Sequence, residues 1–294
     1  MNTQTKALFL AALAVVFWST VASAFKLSLR YLQPLQLLLL ASVFSSLALM
    51  LVIAIQHKFL LLFSVSKRQL FFCFLLGLLN PGLYYFFLLE AYNRLPAQEA
   101  LSINYTWPIL LSLLSAVFLK HRLNKIEIAA MVLAYMGVLI VATHGRFDSL
   151  NLSDNGGLVL ALISTVVFSS YWLLTIRYRS DITLTLFLSF VLSLPILTLA
   201  TLWFAPLIDV NPYGVAGAAY VGCFEMGWTY LLWLSALKLS ENTVKISILA
   251  FVSPVLSLLL ISVVLNETVK IATWLGLLFI IGGIALRSVY VGRK

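Results

Sequence analysis

Glu225 is a carboxylic acid set near the middle of an apolar run, residues 213–236. A charge at the centre of a bilayer costs about 2.5–3.5 kcal/mol on insertion scales. Such a group stays protonated, faces water or meets a partner. Two chemistries follow: carrying a proton, or holding the amino group of a substrate. The plainer alternative is a neutral acid hydrogen-bonded to a neighbouring helix. Two amides sit at similar depth in other runs. Asn80 precedes Pro81, and Asn104 opens the stretch Asn104-Tyr105-Thr106-Trp107-Pro108. Proline removes a backbone donor and releases the carbonyl four residues earlier. For Pro81, Pro108 and Pro254 these carbonyls belong to Gly77, Asn104 and Ala250. Bare carbonyls are tolerated at membrane depth only where protein, water or ligand meets them. The three prolines are therefore candidate hinges or cavity walls, with simple kinking as the alternative.

Helical spacing gathers these residues into faces. One holds Cys73, Gly77, Asn80 and Tyr84; another Asn104, Trp107 and Pro108; a third Ala218, Gly222, Glu225, Trp228 and Thr229. Each mixes small residues, one polar group and an aromatic. Close helix packing would use such a face, and so would a cavity for an organic molecule. Tyr84, Trp107 and Trp228 lie deeper than the interfacial belt where Trp and Tyr usually gather. Glu90 and Glu99, near the outer ends of their runs, read as solvated interfacial charges. His121 and Glu267 sit at run ends and read as structural, while His57 and His144 fall in connections.

The elements that must position these groups are membrane spans. The chain has 294 residues, 62% of them hydrophobic and 10% charged, with a mean hydropathy of +1.05. A soluble domain is about 25% charged, so the sequence describes an all-α membrane protein throughout. Ten runs long enough for about 30 Å of hydrocarbon can be marked. They are 7–27, 32–55, 69–89, 97–119, 126–143, 156–176, 183–204, 213–236, 246–265 and 271–291. The polar connection 145–155 divides them into halves of five, residues 1–145 and 146–294. The first run, after Lys6, resembles a signal peptide ending at Ala22-Ser23-Ala24. Its length and the nine runs that follow favour a retained span.

With the N-terminus in the cytoplasm, 14 of the 19 basic residues fall on the cytoplasmic side. Lys26, Arg30, Arg94, Arg146 and Lys270 fall on the other. This bias is the positive-inside rule, and it accounts for the net charge of +9 without nucleic acid. Both termini are then cytoplasmic. Five spans per half make any repeat an inverted one. Pro108 and Pro254 are each followed after 13 residues by His121 and Glu267, and after 29 by Gly137 and Gly283. Gly77 and Asn80 match Gly222 and Glu225 one residue out of that register. Val16-Phe17-Trp18-Ser19 loosely matches Val167-Phe168-Ser169-Ser170. Interrupted helices at equivalent places in two halves point to a central binding site.

Cys73 and Cys223 lie in apolar runs without ligand-spaced partners, so neither a disulfide nor a metal site is expected. No phosphate-binding Gly-Lys-Ser/Thr loop and no nucleophile elbow is present. The sequence therefore calls for no cofactor and does not read as an enzyme or an ATP-driven pump.

The chain resembles the drug/metabolite transporter superfamily, and within it the EamA-type members. The resemblance rests on Phe17-Trp18-Ser19-Thr20, Ala91-Tyr92-Asn93-Arg94-Leu95-Pro96-Ala97, Ser253-Pro254-Val255-Leu256-Ser257, Leu265-Asn266-Glu267 and Gly282-Gly283. Asn104 to Pro108 is similar to the asparagine–tyrosine–any–tryptophan–proline motif of the bacterial aromatic-amino-acid exporter branch. The chain departs from the family in two places. His121 replaces a glutamate after the fourth span, and Leu38–Ala41 occupies the neighbourhood of an arginine in the second. The resemblance implies ten spans in two inverted repeats, with spans 1, 3, 4, 6, 8 and 9 around a central cavity.

The expected substrate-binding residues are Trp18, Asn80, Tyr84, Asn104, Tyr105, Trp107, Glu225 and Trp228, with Glu225 also the proton site. The expected function is alternating-access export of small organic metabolites, amino acids first, across the cell inner membrane. Drugs or other metabolites are the alternative cargo. Nucleotide sugars fit less well, because only Lys26 and Lys245 approach the centre. A membrane enzyme or subunit is the alternative of another class. The expected partners are a small-molecule substrate and the lipid bilayer, in a monomer or homodimer.

Overall fold

A computed structural model describes residues 3–118, 125–143, 145, 154–177, 181–207, 210–240, 249 and 252–291. His121, His144, Lys245 and Ala250 lie outside the described residues. The described residues are helical, with no strand among them. The helices are α1 (Thr3–Ser28), α2 (Pro34–Ile55), the short α3 (Phe59–Phe63), α4 (Lys67–Gly77), α5 (Tyr84–Arg94), α6 (Ala97–Asn104) and α7 (Trp107–Phe118). They continue with α8 (Lys125–Ala142), α9 (Asn155–Arg177), α10 (Ile182–Phe204), α11 (Pro212–Tyr220), α12 (Thr229–Leu239), α13 (Val252–Val264) and α14 (Ile271–Val291).

Local chemistry sets the starts. Pro34 and Pro212 open α2 and α11 in the first turn, where a missing N–H is no loss. The side chains of Ser66, Asp181 and Asn211 cap α4, α10 and α11 by accepting from Gln69 N, Leu184 N and Tyr213 N. Three runs that read as single spans are interrupted. Between α4 and α5, Leu78–Leu83 contains Asn80 with extended backbone (φ −144°, ψ 113°) just before Pro81. The helix then runs on to Arg94, five residues beyond the expected end, so Glu90 lies within it. Tyr105 and Thr106 form a turn between α6 and α7. Pro108 thus sits in the first turn of a new helix rather than inside a long one. Between α11 and α12, Val221–Trp228 widens into π-helical turns.

Among the described residues, five stretches are long and apolar enough to cross a membrane: Thr3–Ser28, Pro34–Ile55, Lys67–Arg94, Asn155–Thr175 and Ile182–Phe204. Ile128–Val141, Val252–Val264 and Ile271–Leu286 are shorter apolar helices. The outer surface is apolar, with Trp203 83% and Phe63 86% exposed. Much of the polar material is inside, where Ser46, Ser102 and Ser189 hydroxyls bond carbonyls of their own helices. A surface of that kind suits lipid, and the chain is a multi-pass membrane protein.

Helix α1 packs on α11, α12 and α13, and α9 packs on α5, α6 and α7. Helix α2 lies against α10, α11 and Val221–Trp228, and α10 lies against α4 and Leu78–Leu83. Helices α8 and α14 pack chiefly on each other. There Gly137 meets the Gly276 carbonyl and Gly276 meets the Gly137 carbonyl, so closely that a Cβ on either would collide with backbone. This is the small-residue contact by which membrane helices bring backbones together.

Candidate functional site

The interrupted helices, together with α1, α9 and α14, line a cavity of about 350 Å³. That is the scale of a pocket for one small organic molecule. Seven of the residues singled out in the sequence line it: Trp18 from α1, Tyr84 from α5, Asn104, Tyr105, Trp107 and Pro108 at the α6–α7 turn, and Glu225 from the widened segment.

The turn at Tyr105 is pinned from both sides. The Tyr105 hydroxyl donates to Ser253 Oγ at 2.9 Å, beside Pro254 at the start of α13. Ser169 Oγ of α9 donates to the Trp107 carbonyl at 2.8 Å. Asn104 Oδ1 accepts from the Tyr84 hydroxyl at 3.4 Å, and its Nδ2 donates to Ser164 Oγ at 3.4 Å. These are long bonds, so the amide can exchange them for a ligand at small cost. Glu225 is 8% exposed; its Oε1 accepts from the Tyr85 hydroxyl at 3.1 Å, while Oε2 has no partner among the described residues. A buried carboxyl oxygen left unbonded is poised for a donor from a ligand.

Much of the rest of the wall is aromatic. Phe168 stacks on Tyr84 with centroids 4.2 Å apart and meets Trp107 edge-on at 5.2 Å. Trp172 lies parallel to Trp107 and to Tyr230, both at 6.2 Å, and Trp18 meets Trp233 at 5.1 Å. Stacked and edge-on rings at these distances give flat apolar faces suited to a planar substrate group.

The model of the EamA-like transporter family matches residues 5–143 and again residues 155–289. The chain belongs to the EamA-like transporter family. This EamA-like chain is 24% identical, over 95% of its length and 96% of the other, to an uncharacterized transporter of Archaeoglobus fulgidus. It is 27% identical to the protein PecM of Dickeya dadantii over 72% of each chain. It is 25% identical to the aromatic amino acid exporter YddG of Escherichia coli, over 64% of this chain and 65% of that one. A crystallographically solved chain, 21% identical, matches it with a TM-score of 0.70 over 97% of this chain and 98% of that one. At that identity the likeness concerns the fold.

Four of the singled-out residues of this EamA-like transporter lie off the cavity wall. Asn80 and Pro81 are buried at the break after α4, with Tyr171 beside the Asn80 amide. Pro254 is buried at the start of α13. Trp228 turns to Phe224, which in turn packs on Phe17 and Tyr220. Glu99 is not a solvated interfacial charge. It is 1% exposed in the first turn of α6, where the helix N-terminus favours an acid. Glu267 caps the same helix, its Oε1 accepting from Ala97 N at 3.2 Å. Phe168, Trp172, Tyr230 and Trp233 are wall residues that sequence reasoning missed. Signals pointed to two of them. Phe168 is the repeat counterpart of Phe17, and Tyr230 follows Tyr85 at the spacing that separates Gly77 from Gly222.

Proposed function

We propose that this protein is a secondary transporter of the cell inner membrane that exports amino acids, those with aromatic side chains foremost, by alternating access. The observation that carries the reading is the cavity, where one acid and one amide face a wall of aromatic rings. Glu225 binds the substrate ammonium and exchanges a proton during the cycle. Asn104 hydrogen-bonds its carboxylate. Trp107, Phe168 and Trp172 stack on the side chain. The name of the Escherichia coli relative supports both the cargo and the direction.

The same reading gives the chain ten spans in two inverted repeats, residues 1–145 and 146–294, with both termini cytoplasmic. The packing of the helices supports it. Contacts of α1 with α12 and α13 answer contacts of α9 with α5, α6 and α7. Contacts of α2 with α11 and Val221–Trp228 answer those of α10 with α4 and Leu78–Leu83. The pairs α2–α10 and α8–α14 are their own counterparts. Exchanging the first five spans with the last five leaves this pattern unchanged. The glycines agree, since Gly77 abuts the Ser189 carbonyl of α10 and Gly222 the Ala41 carbonyl of α2. Pro81, Pro108 and Pro254 mark the breaks about which such halves bend.

The test is uptake of labelled amino acids into proteoliposomes containing the purified protein, with Trp107→Ala as control. Transport of phenylalanine, tyrosine or tryptophan that Trp107→Ala impairs is the expected result. Transport of no amino acid at all would sink the reading, and a toxicity-rescue screen with drugs and metabolites would then find the cargo.

A further inference from the structure

Where α1 ends there is a second, polar pocket of about 260 Å³, with Lys26, Arg30, Tyr92, Asn93 and Glu267 in its wall. Tyr92 lines the central cavity as well. Its ring packs edge-on against Phe25 at 5.2 Å, and Phe25 also lines the cavity. One pair of rings therefore partitions the two spaces. Among the described residues, the central cavity is lined by Glu225 and by no lysine or arginine. A substrate carboxylate finds only neutral donors among these lining residues, the Asn104 amide and tyrosine hydroxyls such as Tyr84 and Tyr230. The cations lie beyond the partition.

Lys26 is half-buried, and neither it nor Arg30 forms an ion pair among the described residues. Glu267 and Glu99 are within electrostatic reach of the Lys26 ammonium. Glu267 Oε1 is held by Ala97 N, while its buried Oε2 has no hydrogen-bond partner among the described residues. The wall thus carries two positive charges and one negative. It offers donors to a carboxylate and one free acceptor to an ammonium group.

We infer that this pocket is a second substrate site, in which Lys26 and Arg30 bind the carboxylate of an amino acid beyond the Phe25–Tyr92 partition. The amino-acid identity of the ligand rests on the function proposed above. The placement of a carboxylate site does not. Glu267 Oε2 then receives the ammonium group, and the side chain lies against Tyr92. A molecule leaving the central cavity passes from a site that holds its ammonium to one that holds both ends.

The experiment is calorimetric binding of phenylacetate and of 2-phenylethylamine to the purified full-length protein and its Lys26→Gln, Lys26→Arg and Lys26→Gln/Arg30→Gln variants. Losing a charge-assisted bond weakens binding about tenfold. The double variant is expected to lose at least that for phenylacetate and to lose no affinity for phenylethylamine, whose ammonium group it no longer repels, which also shows that it is folded. Lys26→Arg should bind phenylacetate as the wild type does. The inference is overturned if wild type does not bind phenylacetate, or if Trp107→Ala weakens that binding and the double variant does not. It is also overturned if added phosphatidylglycerol displaces phenylacetate from the wild type, since the pocket then seats a lipid headgroup. Lys26-dependent phenylacetate binding without transport of any amino acid would sink the proposed function and leave this site standing.

Discussion

The Tyr85 hydroxyl donates to Glu225 Oε1 across 3.1 Å, joining α5 to the widened segment between α11 and α12. Both groups are buried, and the bond orients the one acid in the cavity wall. Tyr85→Phe leaves that oxygen unbonded in the interior, at a cost of about 1–3 kcal/mol. Thermal unfolding in detergent should show a lower Tm than wild type. An unchanged Tm would mean that the hydrogen bond contributes nothing.

Glu225→Gln keeps the acceptor for Tyr85 and removes the charge. Amino-acid transport should fall at least about tenfold, the scale of a lost charge-assisted bond, and its dependence on pH should flatten. Transport assayed in proteoliposomes across a pH series checks both. Normal transport with an unaltered pH profile would remove the proton role.

Trp107→Ala opens the wall opposite Phe168 and Trp172. Aromatic pairs contribute about 0.5–1.5 kcal/mol beyond area burial, so KM for an aromatic amino acid should rise roughly two- to tenfold or more. KM for a small aliphatic amino acid, measured in parallel, should move less. Equal shifts for both would point to a collapsed cavity rather than a lost stacking face.

Gly137→Leu places a side chain where α8 and α14 touch backbone to backbone. Overpacking of this kind costs about 1–3 kcal/mol or more. The variant should show a depressed Tm or fail to accumulate, while any folded fraction keeps the wild-type KM. Wild-type stability would mean that the two helices separate easily.

A single cysteine at Tyr31, 48% exposed between α1 and α2, reports topology in a background lacking Cys73 and Cys223. An impermeant maleimide added to intact cells should label it. A cysteine at Lys58, beyond the other end of α2, should react only after permeabilisation. The reverse pattern would invert the proposed orientation.

Much of the fold was legible because apolar length is a strong signal, and proline with glycine marks where a helix must break. The break at Asn80-Pro81 and the turn before Trp107-Pro108 are examples. The facing of side chains was harder to read. A span that is apolar all round offers little polar contrast from which to take its helical phase. Trp228 shows a second cause. It was grouped with Glu225 by regular helical spacing, yet the π-helical turns of Val221–Trp228 shift that phase and swing its ring to Phe224. The Glu225–Tyr85 bond spans 140 residues, and the Tyr105–Ser253 bond spans 148. The repeat register, which pairs Tyr85 with Tyr230, and the family resemblance, which sets spans 3, 4, 8 and 9 around one cavity, were the signals that such distant residues share one wall.

The contact of Gly137 with Gly276 leaves α8 and α14 no cushion of side chains between them. Sliding either helix along the other would bring a side chain against backbone at this seam, so the pair holds one register. Because Ile284 of α14 lines the cavity, this seam also fixes the position of one part of the wall.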